Sequence, residues 1–206
     1  MDIILASHNP DKAREFAEIL EDPQLHFVTA GELGFHKEIA ETGSSYAENA
    51  HIKARTVYER FHAFTIADDS GLSLDVLDGY PGIYSARFAG VDSSYPEKFA
   101  RLFSLLAPYP QEQWTAAFHC AIYSITPDGR ENLCERSVSG RIIPEPRGRN
   151  GFGYDPIFYL PELGKTNAEL EPQEKHRRSH RGLALRAWYQ EVFLPYQEAH
   201  PERENL

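Results

Sequence analysis

The chain has 206 residues, 41% of them hydrophobic and 25% charged, which is the composition of a globular protein large enough to bury a core. Its 31 acidic and 21 basic residues give a formal net charge of −10, which argues against general nucleic-acid binding. No apolar run approaches the ~20 residues that span a bilayer, no signal peptide is recognisable and the two cysteines make no metal pair, so we expect a cytoplasmic protein without a nucleic-acid or membrane partner.

The first half of the chain shows strand and helix patterns in alternation. The predicted strands are residues 2–6, 25–29 and 63–67, the last leading into an extended segment at 72–77. One helix is predicted to begin at Asn9-Pro10, where Asn9 caps the helix and the missing N–H of Pro10 costs nothing. A second is predicted from Ser45 to about Phe61, because Ser45 and Glu48 have capping-box spacing.

The second half of the chain predicts a helix from near Pro96, followed by a long hairpin. Residues 114–126 and 131–143 flank a Pro-Asp-Gly-Arg turn and form the two strands of this hairpin. Helices close the chain, the last at about 180–194, and the tail from Pro195 is predicted to be frayed. The mixture of strands and helices predicts an α/β fold, in one domain over residues 1–206.

Residues 7–12, Ser-His-Asn-Pro-Asp-Lys, connect the first predicted strand to the first predicted helix. A helix N-terminus presents unpaired N–H groups and a partial positive charge, so anions bind there. Ser7 and Asn9 add polar groups, and Lys12 adds a full positive charge. The segment predicts a phosphate-binding loop, although it is not a Walker loop. The alternative is a well-capped helix with a surface lysine.

Asp68-Asp69-Ser70-Gly71 follows an apolar strand, and its adjacent carboxylates repel each other unless a cation or a proton offsets their charge. Magnesium in proteins is commonly held by one or two carboxylates, with water and phosphate oxygens in its other positions. Ligand sites of α/β folds gather at strand ends. The run therefore predicts a magnesium site that handles the triphosphate of a nucleotide; an acidic turn is the alternative.

Two further segments carry residues suited to a nucleotide. Glu41 precedes the second helix, on which Asn49 and Lys53 stand four apart and therefore share a face. The alternative is that this face is a solvated helix surface. Residues 151–156, Gly-Phe-Gly-Tyr-Asp-Pro, combine glycines that let the backbone approach a ligand with aromatic rings that stack on a base. A buried aromatic turn is the alternative for the second segment.

Residues 175–181, Lys-His-Arg-Arg-Ser-His-Arg, form a dense basic cluster in an acidic chain. Such a cluster balances the charge of a triphosphate, or else forms a solvated basic face. His176 and His180 have the spacing of a helical metal pair, but no third ligand is near in sequence, so a zinc site is not expected.

Together these segments resemble the inosine/xanthosine triphosphate pyrophosphatase family, hydrolases of non-standard purine nucleoside triphosphates. The family pattern runs [TS]-x-N-x-x-K, a Glu, A-D-D-S-G-L, P-G-x-Y-S-A-R, F-G-Y-D-P and S-H-R-x-x-A. The matches here, in order, are Ser7/Asn9/Lys12, Glu41, Ala67–Leu72, Pro81–Arg87, Phe152–Pro156 and Ser179-His180-Arg181. Six ordered matches over residues 7–184 make the resemblance specific, although His8 stands where the family usually has a small residue.

The resemblance implies an elongated mixed β-sheet flanked by helices, two lobes with the active-site cleft between them, a homodimer and dependence on Mg²⁺. It implies that Glu41 and Asp69 bind the metal and that Asp69 orients or deprotonates the attacking water. The residues that it places at the substrate are Ser7, His8, Asn9, Pro10, Asp11, Lys12 and Lys53 for the phosphates, Ser70, Phe152, Gly153, Tyr154 and Asp155 for the substrate and its base, and Lys175, His180 and Arg181 for base and phosphates.

The implied function is hydrolysis of ITP, dITP and XTP to the monophosphate and pyrophosphate, through attack of water on the α-phosphorus. Asp68 is expected to be a supporting carboxylate. The alternatives are a pyrophosphatase for modified pyrimidine or methylated nucleotides and a catalytically silent nucleotide sensor. RNA binding through residues 175–181 is a third, which the net charge disfavours.

Overall fold

The computed structural model describes residues 1–90 and 92–201, and this part of the chain is a mixture of strands and helices. The strands are β1 (Asp2–Leu5), β2 (His26–Thr29), β3 (Thr65–Leu74), β4 (Pro81–Gly82), β5 (Thr115–Ile125), β6 (Glu131–Ile142), β7 (Phe158–Leu160) and β8 (Lys165–Thr166). The α-helices are α1 (Pro10–Leu20), α2 (Tyr46–Phe61), α3 (Tyr95–Leu106), α4 (Pro172–Arg178), α5 (His180–Trp188) and α6 (Leu194–Ala199). The predicted α/β fold is confirmed. No helix among these residues has both the length and the apolar character that crossing a membrane requires.

The strands form one mixed sheet in the order β2-β1-β3-β5-β6-β7-β8, with β4 paired to β3. β1 runs parallel to both β2 and β3, whereas β7 is antiparallel to β6 and β8. Leu5 lies opposite Ile66, and the N–H of Ala6 donates to the carbonyl of Ile66 at 2.8 Å. This register brings the segment that follows β1 beside Asp68 and Asp69.

Two compact units can be distinguished in the chain. Unit 1 comprises Met1–Asp69, Cys120–Arg136 and the residues from Arg181 onward, and unit 2 comprises Ser70–His119 and Ser137–His180. Both cores are built from apolar side chains of strands and of the helix faces turned toward them. Fully buried members of the unit 1 core include Phe16, Phe64, Trp188 and Phe193, and those of the unit 2 core include Leu72, Leu74, Leu102, Leu106 and Phe158.

The two cysteines belong to the core of unit 1. Cys120 on β5 and Cys134 on β6 are both buried and both free thiols. Both therefore act as small core residues.

The starts of α1 and α2 follow the predicted capping chemistry. The side chain of Asn9 accepts a hydrogen bond from the N–H of Asp11 at 2.9 Å, with Pro10 in the first turn. The side chain of Ser45 accepts from the N–H of Glu48 at 3.1 Å. The carboxylate of Glu48, however, accepts from the N–H and hydroxyl of Ser44 instead of closing a capping box on Ser45, so that half of the prediction is wrong.

Two expectations about local structure are wrong for physical reasons. Asp68–Gly71 lies inside the unbroken strand β3 rather than at its end, because its carboxylates find cationic partners that tolerate burial. The prediction that the chain is frayed from Pro195 is also wrong. A π-helical turn, Tyr189–Phe193, continues α5 into α6, which ends at Ala199. Tyr196 is 5% exposed and packs on Phe64, which holds this segment in place, whereas residues 202–206 lie outside the described part of the chain.

The basic cluster at 175–181 spans two helices rather than one. α4 ends at Arg178, and Ser179 has an extended backbone (φ −67°, ψ 153°) before α5 begins at His180. His176 and His180 are therefore not successive turns of the same helix, and their spacing has no meaning as a helical metal pair.

Candidate active site

Asp68 and Asp69 are neighbours in β3, so their side chains project to opposite faces of the strand. One carboxylate oxygen of Asp68 accepts from Lys12 Nζ at 2.8 Å, and the other accepts from Arg181 Nη2 at 3.0 Å. Asp69 Oδ1 instead accepts from Lys53 Nζ at 2.9 Å. The adjacent carboxylates thus belong to two different polar networks and do not share one cation.

The network around Asp68 is buried and ionic. The Arg181 guanidinium binds Asp68 through Nε and Nη2 and binds Glu15 through Nη1, and the side chains of Arg181 and Asp68 are only 6% and 2% exposed. Burial alone would raise the pKa of Asp68, but the charges of Lys12, Arg181 and Lys53 outweigh it and hold that pKa well below its usual range. Burial likewise disfavours the Arg181 cation, yet Asp68 and Glu15 raise its pKa. Direct contact of Arg181 with substrate stays a prediction.

The second network joins Glu41 to Asp69 through one lysine. Lys53 Nζ donates to Glu41 Oε1 at 3.0 Å and to Asp69 Oδ1 at 2.9 Å, with 12% of its side chain exposed. Burial would lower the pKa of Lys53, but Asp69, Asp68 and Glu41 outweigh that effect and raise it. Burial raises the pKa of the Asp69 carboxyl, Lys53 opposes the rise, and Glu41 and Asp68 reinforce it. Lys53 is therefore an ammonium held between two carboxylates.

The same pair of carboxylates fits a hard divalent cation. Glu41 and Asp69 present oxygens that already converge on one positive charge, and oxygen donors are those that Mg²⁺ prefers. No group of three or more His, Cys, Asp or Glu side chains within residues 1–90 and 92–201 has a metal-binding arrangement. A two-carboxylate site needs water and phosphate oxygens for its remaining positions, which is how Mg²⁺ is commonly bound together with nucleotides.

Residues of the predicted phosphate loop line a cavity in unit 1. It has a volume of about 210 Å³, and Ser7, His8, Lys12, Glu41 and Lys53 contribute to its wall, with apolar side chains that include Phe35 and Ile39. The fold thus brings five of the predicted site residues to one cavity.

The backbone of this loop is held by its own side chains. Ser7 Oγ accepts from the N–H of Asn9 at 3.1 Å, and Asn9 in turn caps α1. Pro10 and Asp11 begin the helix outside the cavity wall, and Asp11 pairs with Arg14 on the exposed surface at 3.1 Å. Substrate contact by Asn9, Pro10 and Asp11 stays a prediction.

In unit 2 the predicted residues gather around the buried carboxylate of Asp155. Its Oδ2 accepts from Lys175 Nζ at 2.6 Å and from the N–H of Phe152 at 2.9 Å, and its Oδ1 accepts from the amide of Asn167 at 3.2 Å. Lys175 Nζ also lies 4.7 Å from the centre of the Phe152 ring. A Cβ at Gly151 would meet Asp155 Oδ2 at 2.3 Å and Lys175 Nζ at 2.6 Å, so the backbone approaches this ion pair as only glycine allows.

Of the two aromatic residues in this segment, one is exposed and one is buried. Phe152 is 58% exposed, whereas Tyr154 is 4% exposed and donates its hydroxyl to the carbonyl of Ser85 at 3.0 Å. The Phe152 side chain therefore has exposed surface even with Lys175 beside its ring, and Tyr154 anchors the segment in the core. Gly153 has φ of +68°, a left-handed conformation that suits glycine.

The remaining two predicted residues are half-buried in unit 2. The ring of His180 stacks on Phe118 with centroids 4.7 Å apart and planes 12° from parallel. Ser70 follows Asp69 in β3. Substrate contact stays a prediction for both.

Two buried asparagines belong to these clusters: Asn49, which the sequence indicated only as sharing a helix face with Lys53, and Asn167, which it did not indicate. Asn49 donates to Asp69 Oδ2 at 3.3 Å, and Asn167 donates to Asp155 Oδ1. Asn49 had a usable signal, since it lies one helical turn before Lys53. The contact of Asn167 depends on tertiary packing that no local spacing records.

Comparison with known proteins identifies the family to which the chain belongs. A model of the Ham1 family matches residues 3–191. The chain is 45% identical to proteins named dITP/XTP pyrophosphatase from Geobacillus kaustophilus (strain HTA426), over 89% of this chain and 90% of that protein, and from Bacillus subtilis (strain 168), over 89% and 92%. It resembles the solved structure of a HAM1 protein from Coxiella burnetii with a TM-score of 0.86 and 39% identity, over 94% of this chain and 99% of that one. Since both the family model and the relatives extend over most of its length, the chain belongs to the Ham1 family, and the predicted family is confirmed.

Proposed function

We propose that this protein hydrolyses the non-standard purine nucleoside triphosphates ITP, dITP and XTP to the monophosphate and pyrophosphate. The observation that carries the proposal is the Glu41–Lys53–Asp69 cluster, two of whose members share a cavity wall with the phosphate-loop residues Ser7 and Lys12. The name dITP/XTP pyrophosphatase, carried by relatives 45% identical to this chain, supports the same activity.

The residues of unit 1 suit the phosphate end of such a substrate. Lys12 and Lys53 reach the cavity as cations, and the start of α1 adds N–H groups and a partial positive charge. Glu41 and Asp69 are the residues that would hold Mg²⁺. When bound, Mg²⁺ neutralises charge on phosphate oxygens and lowers the pKa of a water molecule. Ser7 would orient a phosphate oxygen through its hydroxyl.

Asp69 is suited to direct the attacking water. Its pKa is raised by burial, so the carboxylate is a better proton acceptor than an exposed aspartate. In the proposed step the water oxygen bonds to the α-phosphorus, its proton passes to Asp69, and the bond from the α-phosphorus to the bridging oxygen breaks. Pyrophosphate leaves with that bridging oxygen. Lys53 restrains Asp69 from the other side, so that the carboxylate meets the water in one orientation.

Phe152 and Lys175 are suited to recognition of a purine base. Phe152 offers an exposed ring on which a purine stacks, and Lys175, oriented by Asp155, offers N–H donors. Hypoxanthine and xanthine carry an oxygen acceptor at position 6, where adenine carries an amino donor. Donors at that position would be left unpaired against adenine, which gives selectivity against ATP.

The activity is tested by release of pyrophosphate in the presence of Mg²⁺. We expect kcat/KM for ITP and XTP to exceed that for ATP by a factor on the order of 100, because a site built to bond an acceptor rejects a donor. Chelation of the metal with EDTA should abolish the release. GTP, dUTP and methylated deoxynucleotides complete the panel.

Each alternative has its own outcome in this assay. A preference for dUTP or for methylated nucleotides would replace the proposed substrate class. Tight binding of ITP without pyrophosphate release would indicate a nucleotide sensor instead.

Removal of the exposed ring at position 152 is expected to weaken substrate binding. Stacking of a base on an aromatic ring contributes about 1–3 kcal/mol, so Phe152→Ala should raise KM for ITP by roughly tenfold. The N–H of Phe152 still bonds to Asp155 in this variant, so the loop keeps its main restraint. Steady-state kinetics give the comparison, and Phe152→Tyr, which keeps the ring, should stay near the KM of the unaltered protein. An unchanged KM in Phe152→Ala would contradict the stacking role.

We propose two further properties from the family resemblance and the nature of the substrate. The protein forms a homodimer, for which unit 2 exposes apolar surface at Tyr80 and Tyr84, 42% and 49% exposed. It acts in the cytoplasm, where nucleoside triphosphates are made and used.

A further inference from the structure

Asn49 is a polar residue with no exposed surface, and both ends of its amide are used. Its Oδ1 accepts from the N–H of Gly43 at 2.9 Å, and its Nδ2 donates to Asp69 Oδ2 at 3.3 Å. A carboxylate cannot donate and a backbone N–H cannot accept, so these two partners permit only one orientation of the amide. The side chain therefore bridges the loop that carries Glu41 and the strand that carries Asp69.

The loop lies unusually close to α2 at the point of this bridge. A Cβ at Gly43 would lie 2.6 Å from Glu48 Cβ and 2.8 Å from Asn49 Oδ1, distances that real side chains do not adopt. The next residue, Ser44, donates its N–H and its hydroxyl to the Glu48 carboxylate at 2.6 and 2.8 Å. Glycine at position 43 thus lets the loop dock on the first turn of the helix, two residues after Glu41.

One turn further on, α2 contacts both carboxylates through Lys53. Lys53 bonds Glu41 Oε1 and Asp69 Oδ1, while Asn49 bonds the Gly43 N–H and Asp69 Oδ2. Each oxygen of Asp69 therefore has its own partner on α2. The loop that carries Glu41 also has two partners on this helix, Asn49 and Lys53. Lys53 is long and charged and can follow a moving carboxylate, whereas the short amide of Asn49 cannot.

We propose that Asn49 is a positioning residue that fixes the separation and orientation of Glu41 and Asp69 for the metal. The inference rests on the proposed function, in which these two carboxylates hold Mg²⁺. Partners that orient metal-binding side chains typically change metal affinity or activity by 10–100-fold when they are removed. Asn49 acts through Asp69 and Gly43 and makes no contact with substrate in this role.

The test combines metal binding in the absence of nucleotide with steady-state kinetics. Binding of Mn²⁺, a paramagnetic substitute for Mg²⁺, is measured by electron paramagnetic resonance on unaltered protein, Asn49→Ala and Gly43→Ala. We expect both variants to bind Mn²⁺ on the order of tenfold more weakly and to lose 10–100-fold in kcat for ITP, with KM changed by less than about threefold. Gly43→Ala breaks the same bridge from its other end, while residue 49 remains asparagine.

A matched control separates positioning from loss of stability. Ala54→Gly lies on the same helix, is fully buried in the core and costs about 1 kcal/mol of helix stability without touching either carboxylate. It should keep the Mn²⁺ affinity and kcat of the unaltered protein, with thermal unfolding recorded for every variant. The inference is overturned if Asn49→Ala and Gly43→Ala match Ala54→Gly in Mn²⁺ affinity and kcat. Failure of the proposed function has a different signature, namely no pyrophosphate release by the unaltered protein, and the Mn²⁺ titration still tests Asn49 in that case.

Discussion

Replacement of Asp69 by asparagine is expected to lower kcat for ITP by about three orders of magnitude while the protein stays folded. Transfer of a proton to a positioned side chain contributes roughly 10²–10⁴-fold, and the variant also loses one of the two carboxylates that would hold Mg²⁺. The amide keeps the shape of the side chain and one acceptor oxygen for Lys53, which also bonds Glu41. Turnover is therefore expected to suffer far more than packing.

The same substitution should change stability little at neutral pH, because relief of a buried charge opposes the loss of the oxygen that accepts from Asn49 Nδ2. The pKa of Asp69 is raised in the folded protein, so the fold disfavours its ionised form above the pKa of the unfolded chain, and a neutral amide removes that cost. Circular dichroism on heating measures this, and pyrophosphate release measures turnover. Asp78→Asn is the matched control, since Asp78 is exposed and has φ of +51°, which asparagine tolerates. Near-normal turnover in Asp69→Asn would reject Asp69 as the catalytic carboxylate.

The second large effect is expected on stability, from Asp68→Asn. Asp68 accepts hydrogen bonds from Lys12 and from the buried Arg181 guanidinium, so loss of its charge removes one of the two carboxylates, Asp68 and Glu15, that bond this guanidinium. Removal of one partner of a buried ion pair typically costs 3–5 kcal/mol, and we expect about 3 kcal/mol here because the amide keeps an acceptor oxygen. Urea unfolding at pH 7 measures the difference in the free energy of unfolding.

This difference is expected to depend on pH in a defined direction. The pKa of Asp68 is lower in the folded protein than in the unfolded chain, so its ionisation stabilises the fold above the unfolded value of about 3.9. That contribution is lost as the pH falls through the lower, folded pKa, and the two proteins should converge in stability in strong acid. Glu191→Gln is the control, because the pair of Glu191 with Arg136 is exposed and should contribute less than about 1 kcal/mol. Equal stability of Asp68→Asn and Glu191→Gln would contradict the buried network.

Local chemistry explains why many elements were predictable from the sequence. Asn9-Pro10 begins α1 and Ser45 begins α2 because capping needs only neighbouring residues. The hairpin of β5 and β6 follows from a turn signal between two apolar runs. These features depend on contacts within a few residues, which a sequence displays directly.

The properties that escaped prediction depend on partners far apart in the chain. Asp68 was expected to support the site, but its partner Arg181 lies 113 residues away, so the buried network was not visible. One interpretation of the helical spacing puts Asn49 on a solvated face. In the structure Asn49 is fully buried and bonds Gly43 and Asp69. Burial of a polar side chain is decided by what packs over it, which helical spacing alone does not specify.

The placement of Asp68 and Asp69 on opposite sides of β3 makes the length of this strand as important as its composition. Leu5 opposite Ile66 fixes the register, so a single residue gained or lost after Ile66 would turn both carboxylates to the wrong side at once. The side chain beside Lys53 would then be directed toward Arg181, and the one beside Arg181 toward Lys53. We therefore expect this segment to tolerate conservative substitution but no insertion or deletion, since one such change would disable the buried Asp68 network and the proposed catalytic network of Asp69 together.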